Sequence, residues 1–512
     1  MPDTTFRLTV ASLFDKRVRL QPDSIALEEG PGRWTYDELS RRANQWAHLL
    51  LESGVSTGDR VALLSENRHE YVEIELAAAR IGAIVACLNW RLADEEMQHC
   101  ITLTEPTMII NSPKHSSLLH GLEHGVETVL TLGSELETRL AAQPEDPPHH
   151  DVDPECGLVI LYTSGTTGMP KGAVISHRAV LARMTLYTMV LGATGDDAFW
   201  AWPPMFHMAS TDQSLITLML GGTVVLSDGP DMDVMCDVLG RHRLSWLIAM
   251  PGMIDRMIEC LEKDKPSVRG VRAVGAMADL VPFHQIRDLT KLLGAPYLNT
   301  FGSTEAGMAP ASAGMLEPGV LPTCLSKRET PYCEVRLVEV SDGESEIDVD
   351  VPLETPGEML IRGPSLFSGY WNAPQTNVSD FRGGWFHTGD MFVRHDDGTL
   401  DFVDRCKYMI KTGGENVYPA EIERHLLAHP AVDEAAVVRR RDDRWGEVPV
   451  AFVALRDTTV TVDDLSATLR ERLSSYKMPK AIHVITEAEF PRSTTGKIQR
   501  HELEIRFASV LT

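Results

Sequence analysis

Short apolar runs that alternate with helical patterns constrain this chain more than any other feature. "TYDELSRRANQWAHLLLESG" (35–54) carries apolar residues at helical spacing and stops on glycine. "DRVALLSEN" (59–67) reads as a short buried strand, and "EYVEIELAAARIGAIVACLN" as a helix running into a strand. Strands this apolar need cover on both faces, so the alternation predicts an α/β fold with layered, largely buried sheets. "SLITLMLGGTVVL" (214–226) is too broken by Gly221 and Gly222 to cross a membrane and reads as a buried helix followed by a strand. At 512 residues the chain is long for one core, and two or more domains are expected. The texture changes from 385 onward, and the boundary is placed near Asp404–Lys407, dividing 1–404 from 405–512. The second part, with "DEAAVVRRR" and "VPVAFVAL", has its own strand–helix alternation.

Composition narrows the partners. Lys and Arg total 48 against 73 acidic residues, a formal net charge of −25. That sign disfavours a non-specific nucleic-acid binder, so an anionic ligand must be met by a local basic site or by backbone N–H groups. The eight cysteines, at 87, 100, 156, 236, 260, 324, 333 and 406, show no Cys-x-x-Cys spacing and read as reduced thiols. No secretion-signal pattern opens the sequence, and a cytoplasmic location is expected.

"CGLVILYTS" (156–164) is a short apolar strand that runs into "YTSGTTGMPKG" (162–172). "SHRAVLARMTLYTMVLG" beyond it is a helical pattern with Ser176 as N-cap. The loop is therefore expected between a strand and a helix, where α/β proteins place ligands. Gly165 and Gly168 let the backbone turn and approach a ligand. Thr163, Ser164, Thr166 and Thr167 add hydroxyls, Lys171 adds charge, and successive N–H groups in such a turn hold anions. A polyphosphate is the natural guest. The spacing departs from a Walker A loop, because Pro170 precedes Lys171 and Gly172 follows it.

The string T-S-G-T-T-G-x-P-K-G resembles that of the adenylate-forming superfamily, which includes acyl-CoA synthetases. "CLNWRLADEE", "PPMFH", "NTFGSTEAG", "WFHTGD", "DRCKYMIKTGGENVYP" and "PRSTTGKIQR" follow in the family's order over nearly the whole chain. The resemblance implies a large N-terminal domain of layered α/β subdomains with a small β-barrel-like part. A small, mobile α+β C-terminal domain would turn on a hinge at Lys407. It also implies an ATP-dependent acid–thiol ligase. A carboxylate attacks the α-phosphate of ATP, giving acyl-AMP and pyrophosphate, and the thiol of coenzyme A then takes the acyl group.

By resemblance, Thr163–Gly168 and Lys171 hold the phosphates, Glu305 is the Mg²⁺ carboxylate and Thr304 meets the α-phosphate. Gly275, Ala276, Asn299, Phe301, Gly302 and Ser303 lie on the adenine side, with Phe301 where the family usually has Tyr. Asp390, with Phe402 and Arg405, takes the ribose. His207 is an aromatic gate beside the acyl pocket. Lys497 bridges the attacking carboxylate and the α-phosphate as charge builds. After rotation of the small domain, Gly413, Gly414 and Glu415 line the path of CoA. Arg439, Arg440 and Arg441 either meet CoA phosphates or form a solvated basic patch.

Ala209 leaves room for a broad acid. Ser210, Thr211, Asp212 and Gln213 either add polarity to its pocket or cap a helix. The expected substrate is a bulky or ring-containing carboxylic acid. Two other readings stand beside the CoA ligase: an enzyme that loads an acyl carrier protein, and a silent nucleotide-binding relative, against which Glu305, Asp390 and Lys497 argue. A homodimer is a further expectation carried by the resemblance alone.

Overall fold

The computed structural model describes residues 7–163, 169–250, 252–278, 281–308, 310–340, 348–412, 415–457, 459–492 and 498–508. Ser164, Gly165, Thr166, Thr167, Gly168, Gly413, Gly414 and Lys497 lie outside the described residues.

The first sheet has six strands in the spatial order Thr128–Thr131, Met108–Asn111, Arg60–Leu64, Ile84–Cys87, Gly157–Thr163 and Lys171–Ser176. All neighbours are parallel except the last pair. Its central strands are almost wholly Val, Ile, Leu and Ala because helices cover both faces. The helix Tyr36–Glu52 starts where Thr35 and Glu38 form a reciprocal cap. The helix His69–Ile81 is buried along nearly its whole length and contacts strands of both large sheets, so even its Glu70, Glu73, Glu75 and Arg80 lie inside the protein. The 214–226 run is the end of the helix Met208–Leu220 followed by the strand Thr223–Leu226.

The second sheet orders Gly32–Thr35, Ile25–Glu29, Thr223–Leu226 and Ala198–Ala201. Parallel single-residue bridges, Ala198 to Leu244, Leu244 to Val271, Leu247 to Val274 and Val274 to Tyr297, carry the same direction onward. Residues 275–278 and 299–305 thus emerge at carboxyl ends of parallel chain segments, the position at which open α/β sheets bind ligands.

Glu334–Val338, Gly357–Arg362, Phe386–Arg394 and Leu400–Arg405 form a four-stranded antiparallel meander. Beyond it, Glu415–Val417, Ile410–Thr412, Gly446–Leu455 and Val432–Asp442 build a separate sheet, with Ile482–Val484 added in parallel. This C-terminal part has its own apolar clusters on both faces, around Ile422, Val437 and Leu469 and around Val438, Phe452 and Leu503. Among the described residues no helix is long and apolar enough to cross a membrane, and all eight cysteines are free thiols.

One expectation fails. The glycine- and hydroxyl-rich loop does not connect a strand to a helix. The segments on either side of it, Gly157–Thr163 and Lys171–Ser176, pair as antiparallel strands of a hairpin, with Thr163 opposite Lys171. The helix begins only at His177, capped as expected by Ser176 accepting from the Ala179 amide. "KGAVIS" extends because a third segment covers its free edge. Ser368 N donates to Val174 O at 2.8 Å, Val174 N to Gly369 O at 3.0 Å and Trp371 N to Gly172 O at 2.8 Å.

Candidate active site

The pairing that covers the hairpin also delivers Tyr370, opposite Ala173, to the base of the loop. Its hydroxyl donates to Glu305 Oε1 at 2.9 Å. The ammonium of Lys171 lies 4.8 Å from the Tyr370 ring centroid and 3.9 Å from Asp380 Oδ2. Burial, and then the Glu305 carboxylate, push the Tyr370 phenol far above its ordinary range, so it stays a donor. Burial also raises Asp380, against the pull of Lys171. Sequence reasoning missed Tyr370 and Asp380. The only local signal was an aromatic pair after glycine in "SGYWN", because the role of Tyr370 depends on a partner strand some 200 residues earlier in the chain.

Glu305 and Thr304 occupy a tight turn. Gly307 N donates to Ser303 O at 2.8 Å and Ser303 N to Gly307 O at 3.1 Å. A Cβ on Gly302 would meet the Gly307 carbonyl oxygen at 2.3 Å, so the turn admits only glycine there. The Glu305 carbonyl accepts from Phe367 N at 2.8 Å, and the carbonyls of both Thr304 and Glu305 accept from Arg183. Both side chains keep partial exposure. Glu305 has one oxygen held by Tyr370 and leaves the other without a hydrogen-bond partner among the described residues.

Among the residues expected on the adenine side, Gly275 has φ +114°, and a Cβ there would lie 2.4 Å from the Tyr297 ring. The flat approach of Tyr297 beneath Gly275 and Ala276 is therefore possible only with glycine. Asn299 is buried and ties two segments together, accepting from Ala278 N at 2.8 Å and donating to Leu325 O at 2.7 Å. Phe301 is packed into a three-ring cluster, its centroid 4.7 Å from Phe392 and 6.1 Å from Phe402.

Asp390 and Arg405 face each other across the meander, and Arg405 Nε lies 3.0 Å from Asp390 Oδ1. Asp390 is buried, whereas the Arg405 side chain is about half exposed. Asp390 first, and Glu305 after the opposing effect of burial, hold the guanidinium above its ordinary pKa. Glu305 thus shares one electrostatic environment with Tyr370, Asp380, Arg405 and Asp390. The structure links these residues in a chain: Thr163 pairs with Lys171, Lys171 lies over the Tyr370 ring, Tyr370 donates to Glu305, and Arg405 feels both Glu305 and its partner Asp390.

Among the residues expected beside the acid, His207 is the N-cap of the helix Met208–Leu220, with Nδ1 accepting from Ala209 N at 3.3 Å. Ala209 is half-buried against the core. Ser210 and Asp212 are fully buried and carry internal bonds. Ser210 Oγ donates to Pro203 O at 2.6 Å, and Asp212 Oδ2 accepts from Arg183 Nη1 at 2.8 Å. The Thr211 hydroxyl donates to the Met205 carbonyl. The two hydroxyls and Asp212 Oδ2 are thereby paired inside the protein, while the buried Asp212 Oδ1 has no hydrogen-bond partner among the described residues.

At the junction with the C-terminal part, Lys407 is exposed, and its carbonyl accepts from Arg439 Nη2 at 3.4 Å. Arg439 also lies 3.7 Å from Glu447 and 3.5 Å from Glu504. Glu415 is exposed at the start of its strand. Arg440 is half-buried and Arg441 exposed on the strand Val432–Asp442.

Two family profiles match the chain: AMP-binding enzyme over residues 14–371 and AMP-binding enzyme C-terminal domain over residues 421–497. The chain belongs to the AMP-binding enzyme family. It is 32% identical over 501 residues to a feruloyl-CoA synthase from Amycolatopsis sp, covering 96% of this chain and 98% of that one. It is 33% identical over 500 residues to a 2-succinylbenzoate--CoA ligase from Geobacillus kaustophilus, covering 97% of this chain and 98% of that one. Among solved structures, ATP-bound MatB from Rhodopseudomonas palustris superposes with a TM-score of 0.86 at 27% identity, over 99% of this chain and 100% of that one. The Ser303–Gly307 turn and the Asp390–Arg405 pair lie in the segments "NTFGSTEAG", "WFHTGD" and "DRCKYMIKTGGENVYP" that carry the resemblance.

Proposed function

We propose that this protein is an ATP-dependent acid:CoA ligase that activates a ring-containing carboxylic acid. The observation that carries the reading is the full-length likeness to two CoA ligases, one named for a feruloyl and one for a succinylbenzoate group, both built on a benzene ring. The small Ala209 leaves room for a broad acid, and the Ser210 hydroxyl and Asp212 Oδ2 are taken up by internal partners.

In the first half-reaction a carboxylate oxygen of the acid bonds to the α-phosphorus and the bond to pyrophosphate breaks. Asp390, already oriented by Arg405, accepts from the ribose hydroxyls, since a carboxylate has lone pairs for both. Thr163–Gly168 and Lys171 take the departing phosphates, and Thr304 donates to the α-phosphate. Glu305, with one oxygen on Tyr370 and one open, fits a hard cation that takes oxygen ligands. Bound there, Mg²⁺ would neutralise phosphate charge. Lys497 supplies a mobile positive charge to the carboxylate and α-phosphate. In the second half-reaction the CoA sulfur bonds to the acyl carbon and AMP leaves. For this to occur Lys497 must withdraw, which the hinge at Lys407 permits. Eight free thiols fit a reducing cytoplasm.

A panel of aryl and alkyl acids, assayed by ATP-dependent pyrophosphate release, tests the reading. CoA and a phosphopantetheinylated carrier protein are then supplied separately as acceptors. Release with aromatic acids and thioester formation on CoA are expected. Acceptance of the carrier alone would overturn the CoA assignment, and pyrophosphate release unchanged in Lys497→Ala would overturn the role of that lysine.

A further inference from the structure

Arg183, on the helix His177–Leu191, is 1% exposed and lies beneath the Ser303–Gly307 turn. Its Nη2 donates to Thr304 O at 3.0 Å and to Glu305 O at 3.2 Å, its Nε to Ser365 O at 3.1 Å and its Nη1 to Asp212 Oδ2 at 2.8 Å. A guanidinium holds its donors in a rigid planar fork, so one side chain locks three segments that are distant in sequence. The turn closes tightly on this fork. Gly307 has φ +71°, and a Cβ there would lie 2.7 Å from Arg183 Nε. Asp212, itself 1% exposed, supplies the counter-charge that keeps a cation in the core. The direction of a carbonyl sets its peptide plane, and the planes at Thr304 and Glu305 set where their side chains leave the backbone.

We propose that Arg183, with Asp212 as its counter-ion, is a positioning residue for adenylation: it turns the Thr304 and Glu305 carbonyls inward and so aims the hydroxyl at the α-phosphate and the carboxylate at the metal. The proposal rests on the adenylation reading above. It gives Asp212 a task other than contact with the acid, which separates the effect of these residues on catalysis from any effect on acid binding.

The test uses the full chain with Arg183→Met and Arg183→Lys and two readouts. Calorimetry measures ATP affinity with Mg²⁺ and with chelator, and pyrophosphate release gives kcat and the acid KM. In Arg183→Met the Mg²⁺-dependent gain in ATP affinity falls about tenfold or more. Its kcat falls about 100-fold, the scale of a small misplacement of reacting groups, while the acid KM stays within about threefold. Lys restores little, because one ammonium cannot serve three carbonyls and a carboxylate at once. Parent-like affinity and kcat in a folded Met variant would overturn the proposal, as would a change confined to the acid KM. If the Met variant does not fold, Asp212→Asn decides. Asn keeps an acceptor for Nη1 but removes the counter-charge, and a severalfold loss of the same Mg²⁺-dependent affinity is expected, with parent-like values overturning the idea. A parent that releases no pyrophosphate with any acid refutes the adenylation reading, while the calorimetric arm still judges Arg183.

Discussion

The hydroxyl of Tyr370 donates to Glu305 Oε1 at 2.9 Å from a segment that also covers the edge of the strand Lys171–Ser176. Partners that orient a metal-binding carboxylate contribute about 10- to 100-fold to metal affinity or activity. Tyr370→Phe is therefore expected to raise the Mg²⁺ concentration for half-maximal pyrophosphate release about tenfold. The fold should hold, because the ring keeps its edge contact with Phe367 and the Lys171 ammonium over its face. A Mg²⁺ titration of both proteins checks this, and superimposable curves would remove Tyr370 from the metal site.

Asp390 is buried and Arg405 half exposed, so removing either affects different properties. Asp390→Ala deletes the acceptor proposed for the ribose, and the ATP KM is expected to rise about tenfold, equivalent to about 1.4 kcal/mol. The released Arg405 returns to solvent at little cost, so the melting temperature should barely move. Arg405→Gln should raise the KM less, since Asp390 remains. Equal KM values for parent and Asp390→Ala would contradict the assignment.

What was legible in the sequence was local. The 35–54 helix shows its cap, its apolar spacing and its terminal glycine within 20 residues, and the helix Met208–Leu220 with its following strand is equally self-contained. The hairpin was not legible, because "KGAVIS" is held extended by Gly157–Thr163 on one edge and by residues 368–371 on the other, and no local pattern announces the second partner. The polar run 210–213 shows the same limit from the other side. The sequence left its groups open between pocket lining and helix capping, and in the structure the two hydroxyls meet the Pro203 and Met205 carbonyls while Asp212 Oδ2 meets an arginine of a neighbouring helix. Motif order pointed to Glu305, Asp390 and Arg405, whereas Tyr370, Asp380 and Arg183 join them only through tertiary contacts.

His177 predicts part of the acid sensitivity. It is fully buried, and its Nδ1 accepts from Val10 N at 3.3 Å, satisfying a free amide at the start of the helix Val10–Leu20. Burial pushes its pKa down to about 4. The unfolded chain, with an ordinary value near 6.5, takes up the proton first, so the contribution is intact above about pH 6.5 and is lost as pH falls toward 4, about 3 kcal/mol in all. His177→Asn keeps an acceptor for Val10 without the titration. Its melting temperature should fall less steeply than that of the parent between pH 7 and 4.5, and parallel slopes would reject the account.

Arg500 joins the end of the meander to the C-terminal part. Nη1 donates to Asp404 Oδ1 at 3.2 Å, Nε and Nη2 donate to Glu423 at 3.0 and 2.6 Å, and the guanidinium lies 4.7 Å from the Tyr408 ring centroid. Asp404 also accepts from Ala420 N at 2.7 Å at the start of the helix Pro419–Leu427, and Glu423 from Val437 N at 2.7 Å. Arg500→Met leaves two buried carboxylates without their shared cation, a change of about 3–5 kcal/mol. Because Glu423 bonds directly to the Val432–Asp442 strand, the loss should concentrate there. Hydrogen exchange is expected to quicken across 415–455 while the amides of 60–90 keep the parent's protection. Uniform exchange in parent and variant would show that the Asp404–Arg500–Glu423 cluster does not hold the C-terminal sheet to the strand that precedes Lys407.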